Sequence, residues 1–325
     1  MKKIAFLAIL LAALIVTNLA AGGRGQAADP EAWPTRDVSL VVAFMAGSDA
    51  DINTRALARG LESRFNVRFP ITNVAGGNAS IGMGQVMGAR PDGYTFVALQ
   101  TASLMGNVTT GLVDFCFRDM APVAIFGRQA GETIIVPADS PYRTFNDLIS
   151  ATRARPDTIR LAIVTGGAVY IASVIMRVGG AQFLPVEGGD GPARILQVLG
   201  GHADATIAPY SAARSHIEAG TIRPLATLLA QAPSRIQPPI QPAHEVIPNL
   251  IINTLFCILG PKGTDPRIIE KFNAAILDVV NNDADFREGY ARHNFQDAWA
   301  LNVADTVAEM ERQRANFMQF QRYLK

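Results

Sequence analysis

The sequence predicts an α/β protein of two lobes joined by two crossing strands, and three observations carry that reading. Short apolar, β-branched runs alternate with helical patterns along almost the whole chain, the mark of parallel sheets covered by helices on both faces. Strand patterns meet without an intervening helix in "PVAIFGRQAGETIIVP", and the chain turns back after the proline-rich "APSRIQPPIQP". About 298 residues remain beyond an N-terminal export segment, enough for two cores.

The elements follow in order. Lys2 and Lys3 precede an apolar run over 4–16 and the small-residue stretch "GRGQAADP", a signal peptide with cleavage expected near Ala27. The run is shorter than the roughly 20 residues a membrane span needs. A strand over 40–44 breaks at Ala46-Gly47-Ser48 into a helix over 52–65, for which Asp51 is the expected N-cap. A strand over 69–73 leads through "NVAGGNASIG" to a helix over 79–90, and a strand over 95–99 leads to a loop over 100–107. Strands over 123–126 and 133–137 make the first crossing. Thr144 and Asp147 form a capping box for a helix over 144–154. Strands over 159–164, 182–186 and 205–208 each feed a helix, over 168–178, 191–200 and 211–219, and a strand over 224–228 ends the second lobe. A strand over 254–259 returns to the first lobe. Asp265 and Pro266 then start a helix over 264–281, and a last helix covers 302–323. The lobes are therefore expected at 28–131 with 252–325, and at 132–251.

Charge narrows the function. Removing residues 1–27 takes away Lys2, Lys3 and Arg24 and no acid, so the net charge falls from +1 to −2. Such a chain offers no electrostatic case for nucleic acid or anionic lipid. Cys116 and Cys257 lie in apolar contexts and read as buried free thiols, although export would permit a disulfide. Spacing for a metal site is missing. Gly82-x-Gly84-x-x-x-Gly88 falls on a helix rather than at a strand-to-helix turn, so no dinucleotide or other cofactor is expected. "AGSDA" resembles a nucleophile elbow around Ser48, but it follows the first strand and no histidine shares its motif. A hydrolase using Ser48 stays open on this reading, as does a ligand sensor acting on a signalling partner.

In open α/β sheets, ligands sit beyond the carboxyl ends of strands. The candidate residues are therefore Phe44, Ala46, Gly47, Ser48 and Asp49 after the first strand, and Gly76, Gly77, Asn78, Ala79 and Ser80 after the second. Thr101 follows the third. In the second lobe they are Gly166, Gly167, Ala168 and Tyr170, then Glu187, Gly188 and Asp190, and finally Ala208. Glycines before a helix present backbone N–H groups to an anion. Asp190 reads as the cap of the helix that follows, while Glu187 is equally suited to solvent or to the cleft.

Taken together, "AGSDADINTRALARGL", "NVAGGNASIGMGQVMGARPDGYTF", "VLGGHADATI" and "LGPKGTDPRIIEKFNAAI" resemble the Bug or TctC family, the extracytoplasmic solute receptors of tripartite tricarboxylate transporters. The resemblance runs through the whole mature chain. It implies a two-lobed periplasmic binding protein of type II, a Venus flytrap that closes on a small organic acid and delivers it to membrane permease subunits. It implies a monomer and no enzyme. In the family, two loop pincers grip one carboxylate; carried over, they are Phe44 to Asp49 and Gly76 to Ser80. The other lobe's loops at Gly166–Tyr170 and Val186–Asp190 would select the far end of the ligand.

The sequence departs from the family at these positions. Ser48-Asp49-Ala50 and Asn78-Ala79-Ser80 stand where glycine-rich stretches are common, Tyr170 where a histidine is common, Glu187 in place of a lysine, and Ala208-Pro209 in place of Asp-Asn. A ligand carboxylate about 4 Å from an ionised Asp49 would feel up to ~4 kcal/mol of repulsion at an effective dielectric near 20. A helix N-terminus contributes only ~1 kcal/mol. If Asp49 and Glu187 line the cleft, a simple di- or tricarboxylate is disfavoured, and an amino- or N-heterocycle-bearing monocarboxylate fits.

Overall fold

A computed structural model describes residues 29–324 apart from residue 165; the expected signal peptide and its cleavage site lie outside the described residues. The elements form two five-stranded sheets. The first has the order β2-β1-β3-β10-β4, built from β1 (Ser39–Val42), β2 (Ile71–Asn73), β3 (Thr95–Gln100), β4 (Met120–Arg128) and β10 (Leu255–Pro261). The second has the order β7-β6-β8-β5-β9, from β5 (Glu132–Pro137), β6 (Arg160–Ile163), β7 (Leu184–Glu187), β8 (Ala205–Pro209) and β9 (Ile222–Thr227).

The sheets are mixed rather than parallel. β1 runs parallel to β2 and β3, and β6 parallel to β7 and β8. One strand in each sheet runs against its neighbours: β10 against β3 and β4, and β5 against β8 and β9. These two strands arrive from the other sheet. No crossover helix precedes them, so the handedness that keeps βαβ neighbours parallel does not apply.

Ten helices cover the sheets among the described residues: α1 (Asp49–Phe65), α2 (Ser80–Met87), α3 (Thr101–Thr110), α4 (Phe145–Ala154), α5 (Gly167–Val178), α6 (Gly191–Leu199), α7 (Tyr210–Glu218), α8 (Pro266–Asn282), α9 (Ala284–Asn294) and α10 (Val303–Met318). Thr144 and Asp147 exchange the two bonds of a capping box at α4. Asp265 caps α8 with Pro266 at its first position. Two helices depart from the sequence expectation. α3 occupies the expected loop at 100–107, and α9 lies where no helix was expected. Nearly every residue of α3 is buried, from Thr101 through Asn107, so its sequence has no polar face and no stripe to read. α9 buries only Phe286, Tyr290 and Asn294, a stripe one residue wide among charged neighbours.

Packing joins the two halves. Trp33, Phe96 and Phe272 fill the outer face of the first sheet, with Phe96 and Phe272 rings 4.8 Å apart. Ile135, Ile195, Val198 and Ala213 cover one face of the second. The largest cluster runs from Val97, Leu99 and Cys257 through Leu104 and Met105 of α3 and Ile171 and Ile175 of α5 to Leu161 and Ile207. Burial of this continuous apolar surface seats one sheet system on the other. Cys116 and Cys257 are both free thiols.

Candidate functional site

The loop after β1 is organised by carboxylates. Ser48, not Asp51, is the N-cap of α1: its Oγ accepts from Asp51 N at 3.3 Å. Asp51 sits three positions on and reaches back past the cap to accept from Gly47 N at 2.9 Å. It also accepts from Arg55 Nε at 3.0 Å and Asn73 Nδ2 at 2.9 Å. Asn73 Nδ2 donates in turn to the Phe44 carbonyl, which ties the first loop to β2. Burial pushes the Asp51 carboxyl up, but the bonds from Arg55, the Gly47 N–H and Asn73 outweigh it and hold the group below its ordinary value.

Asp49 opens α1 and is 5% exposed. Ser211 Oγ donates to both of its oxygens, at 2.7 and 2.8 Å. Gln129 Nε2 donates at 3.0 Å, and His293 Nε2 lies 2.9 Å from Oδ1. Ser211 belongs to α7 on the second sheet, Gln129 to the crossing between β4 and β5, and His293 to α9. Asp49 therefore faces the cleft but is held by three side chains, of which Ser211 reaches it from the second sheet. Its charge is used inside the protein instead of standing bare before a ligand.

The second loop turns through four consecutive residues of positive φ, Gly76 (124°), Gly77 (54°), Asn78 (49°) and Ala79 (79°). Only glycine adopts such angles freely, so Asn78 and Ala79 must be held there. α3 does so. Asn78 Nδ2 donates to Asn107 Oδ1 at 2.8 Å, Ser103 Oγ donates to Asn78 Oδ1 at 3.1 Å, and Asn107 Nδ2 donates to the Asn78 carbonyl at 2.9 Å. Thr101 is buried and accepts from Leu255 N at 3.1 Å, so it fastens the returning strand.

From the other side, α5 begins at Gly167, whose backbone lies against Asn78 and against Gly106 of α3. Neither Gln100 before α3 nor Gly166 before α5 caps its helix with a side chain, and the first N–H groups of a helix have no acceptor within it. Asp190 caps α6, accepting from Ala193 N at 3.2 Å. Arg194, buried on α6, donates from Nε to the Ile207 carbonyl and from Nη1 to the Gly189 carbonyl, both at 2.8 Å. Its Nη2 lies 3.9 Å from Oε2 of Glu132, the first residue of β5. Burial pushes the Glu132 carboxyl up to about 7, with Arg194 pulling it down and Asp49 pushing it further up.

These groups enclose a cavity of about 620 Å³ between the two sheets. Of the residues expected from sequence, Phe44, Gly47, Ser48, Asp49, Gly76, Gly77, Asn78, Ala79, Ala168 and Asp190 line it. The others lie off it. Ala46 is exposed on its loop, while Ser80, Gly166, Gly167 and Gly188 stand behind the lining. Tyr170 packs on the shared core, Ala208 is core beneath α6 and α7, and Glu187 stands exposed at the end of the edge strand β7. The sequence reading missed Ser103, Glu132, Arg194, Ser211, Thr254 and His293, all of which line the cavity. Two carried a local signal: a glutamate opening the apolar "ETIIV", and an arginine on the apolar stripe of "ARILQVL". Ser48 uses its hydroxyl on the helix cap and His293 pairs with Asp49, so these two do not make a nucleophile–base pair.

Residues 53–317 match the family model described as tripartite tricarboxylate transporter family receptor. Protein BugT of Bordetella pertussis is 26% identical over 284 residues, covering 84% of this chain and 85% of that protein. Among solved structures, Rpa4515 of R. palustris with adipate superposes with a TM-score of 0.78 at 22% identity, over 90% of this chain and 98% of that one. MatC of Rhodopseudomonas palustris with bound malate gives 0.77 at 16% identity, over 90% and 100%.

Proposed function

We propose that this chain, which belongs to the tripartite tricarboxylate transporter receptor family, captures a small carboxylated solute in the cavity between its sheets and hands it to permease subunits in the membrane. Family membership makes it a solute-binding receptor of two lobes, and the relatives are binding proteins. The observation that carries the choice of ligand is local. The uncapped N-termini of α3 and α5, one from each side, reach the same cavity through Ala102, Ser103, Ala168 and Val169. First-turn N–H groups without a side-chain cap and the positive helix ends favour a carboxylate there. Two solved relatives hold adipate and malate, which supports the same reading.

The lobes proposed are 28–131 with 252–325, and 132–251, closing about the crossings near 130 and 252. Export to the periplasm, with cleavage near Ala27, belongs to the same proposal, as do a monomeric state and binding without turnover. A panel of mono-, di- and tricarboxylates, amino acids, aromatic acids and amines tests the ligand class by thermal melting. A ligand at 100 times its dissociation constant should add about 2.7 kcal/mol of stability, read as a raised Tm. At least one carboxylate is expected to give that shift. Shifts confined to compounds without a carboxylate would overturn the reading.

A further inference from the structure

The cavity contains a buried carboxylate oxygen that the fold leaves without a hydrogen-bond partner. Glu132 is 7% exposed, lines the cavity, and its Oε2 accepts no hydrogen bond. The hydroxyl of Thr254, 3% exposed and lining the same cavity, also has none. Arg194 stands at 3.9 Å, beyond hydrogen-bond reach, and directs Nε and Nη1 to backbone carbonyls. Native proteins pair their buried polar groups, so an orphan acceptor in a cavity points to a donor that the cavity is built to receive. Charge agrees. Asp49, Glu132 and Asp190 line the cavity against one guanidinium, Arg194, and the His293 ring already pairs with Asp49. A dianion would meet Asp49, Asp190 and the part-ionised Glu132.

Resting on the reading of the cavity as a carboxylate site, we propose that the solute is a zwitterion, an amino acid or a protonated N-heterocyclic acid, whose carboxylate sits at the α3 and α5 N-termini and whose nitrogen donates to Glu132. The positive group that the sequence suggested for Asp49 and Glu187 is assigned instead to Glu132. Asp49 already has its donors, and Glu187 lies outside the cavity.

A pH signature follows. The Glu132 carboxyl, raised to about 7, is part-protonated at neutral pH in the empty cavity. The charged groups around it are Arg194 on α6 and Asp49 on α1, the latter bonded to His293 on α9. An arriving ammonium, already protonated at pH 7, favours the ionised form, so its binding releases a proton, whereas a pyridine-type nitrogen, unprotonated at pH 7, would take the Glu132 proton and release none. Affinity for an amine-bearing acid therefore rises as pH passes upward through about 7, until the solute's own nitrogen deprotonates.

Calorimetric titration with matched pairs tests this: 4-aminobutyrate against succinate, 6-aminohexanoate against adipate, and a set of α-amino and N-heterocyclic acids, each in buffers of different ionisation enthalpy. The protein should bind its best zwitterion at least tenfold more tightly than the diacid of equal length, and the amine-bearing acids should release protons at pH 7. Glu132→Gln should cost that zwitterion at least tenfold, abolish proton release, weaken hexanoate far less than the zwitterion, and melt no lower than the parent. Diacids that bind where zwitterions do not, or a Glu132→Gln variant with undiminished zwitterion affinity, would overturn the zwitterion and leave the carboxylate reading standing. Amines that bind where no acid does would overturn both.

Discussion

Replacing Gly106 with valine is expected to lower solute affinity more than 100-fold while both lobes stay folded. Gly106 lies within α3, where the helix itself has no need of glycine; a side chain there favours the helix by roughly 1 kcal/mol. The obstacle is across the junction. A Cβ at 106 would fall on the Cα and C of Gly167 and within 2.8 Å of Ala168 N, all backbone atoms at the start of α5. Backbone cannot rotate away as a side chain can, so α5 and the second sheet must shift as a body. The two uncapped helix ends then no longer reach one ligand. A closed state penalised by about 2.7 kcal/mol lowers apparent affinity 100-fold, because the competent population falls by that factor. Calorimetry reads the loss and the melting curve reports that the lobes remain folded. Gly84→Val is the control, since a Cβ at Gly84 meets nothing within 4 Å. Parental affinity in Gly106→Val would mean the α3–α5 contact has no part in capture.

The second large effect is on stability. Asp49→Ala removes the acceptor of Ser211, Gln129 and His293 together, leaving donors from three elements facing an apolar methyl. Stranding buried donors and losing bonds to a charged group costs about 3 kcal/mol. For a chain of this size that lowers Tm by roughly 5–10 °C. Asp49→Asn keeps one acceptor oxygen and should lose less than half as much. A bare ligand-facing acid, which the sequence alone suggested, would give the opposite sign, since removing an unpaired buried charge stabilises. Melting curves of the two variants decide between these, and an unchanged or raised Tm in Asp49→Ala would refute the strut.

The contrast shows what could be read before the fold was known. All ten strands of the described residues were legible, because short β-branched runs bounded by glycine and proline signal strands without tertiary help. The reversed direction of β5 and β10 was not, since direction depends on which sheet a strand joins. α3 escaped because burial on every side leaves no periodicity. The cavity loops at Gly47 and at Gly76–Ala79 were legible from their place after strands. Asp49's partners were not, lying 80, 162 and 244 residues away along the chain. Glu132 and Arg194 stood in plain view as charges within apolar patterns, but only the fold brings them to one cavity. Glu187 sat equally well in a glycine loop on paper, and its place on an edge strand takes it to the surface.

A crystal structure of the protein with its tightest-binding zwitterion is the most direct measurement. The ligand carboxylate should lie within about 3.2 Å of first-turn N–H groups of α3 or α5, with its nitrogen at the same distance from Glu132 Oε2. A ligand bound the other way round, with its carboxylate against Glu132, or one held outside the cavity between the sheets, would contradict it.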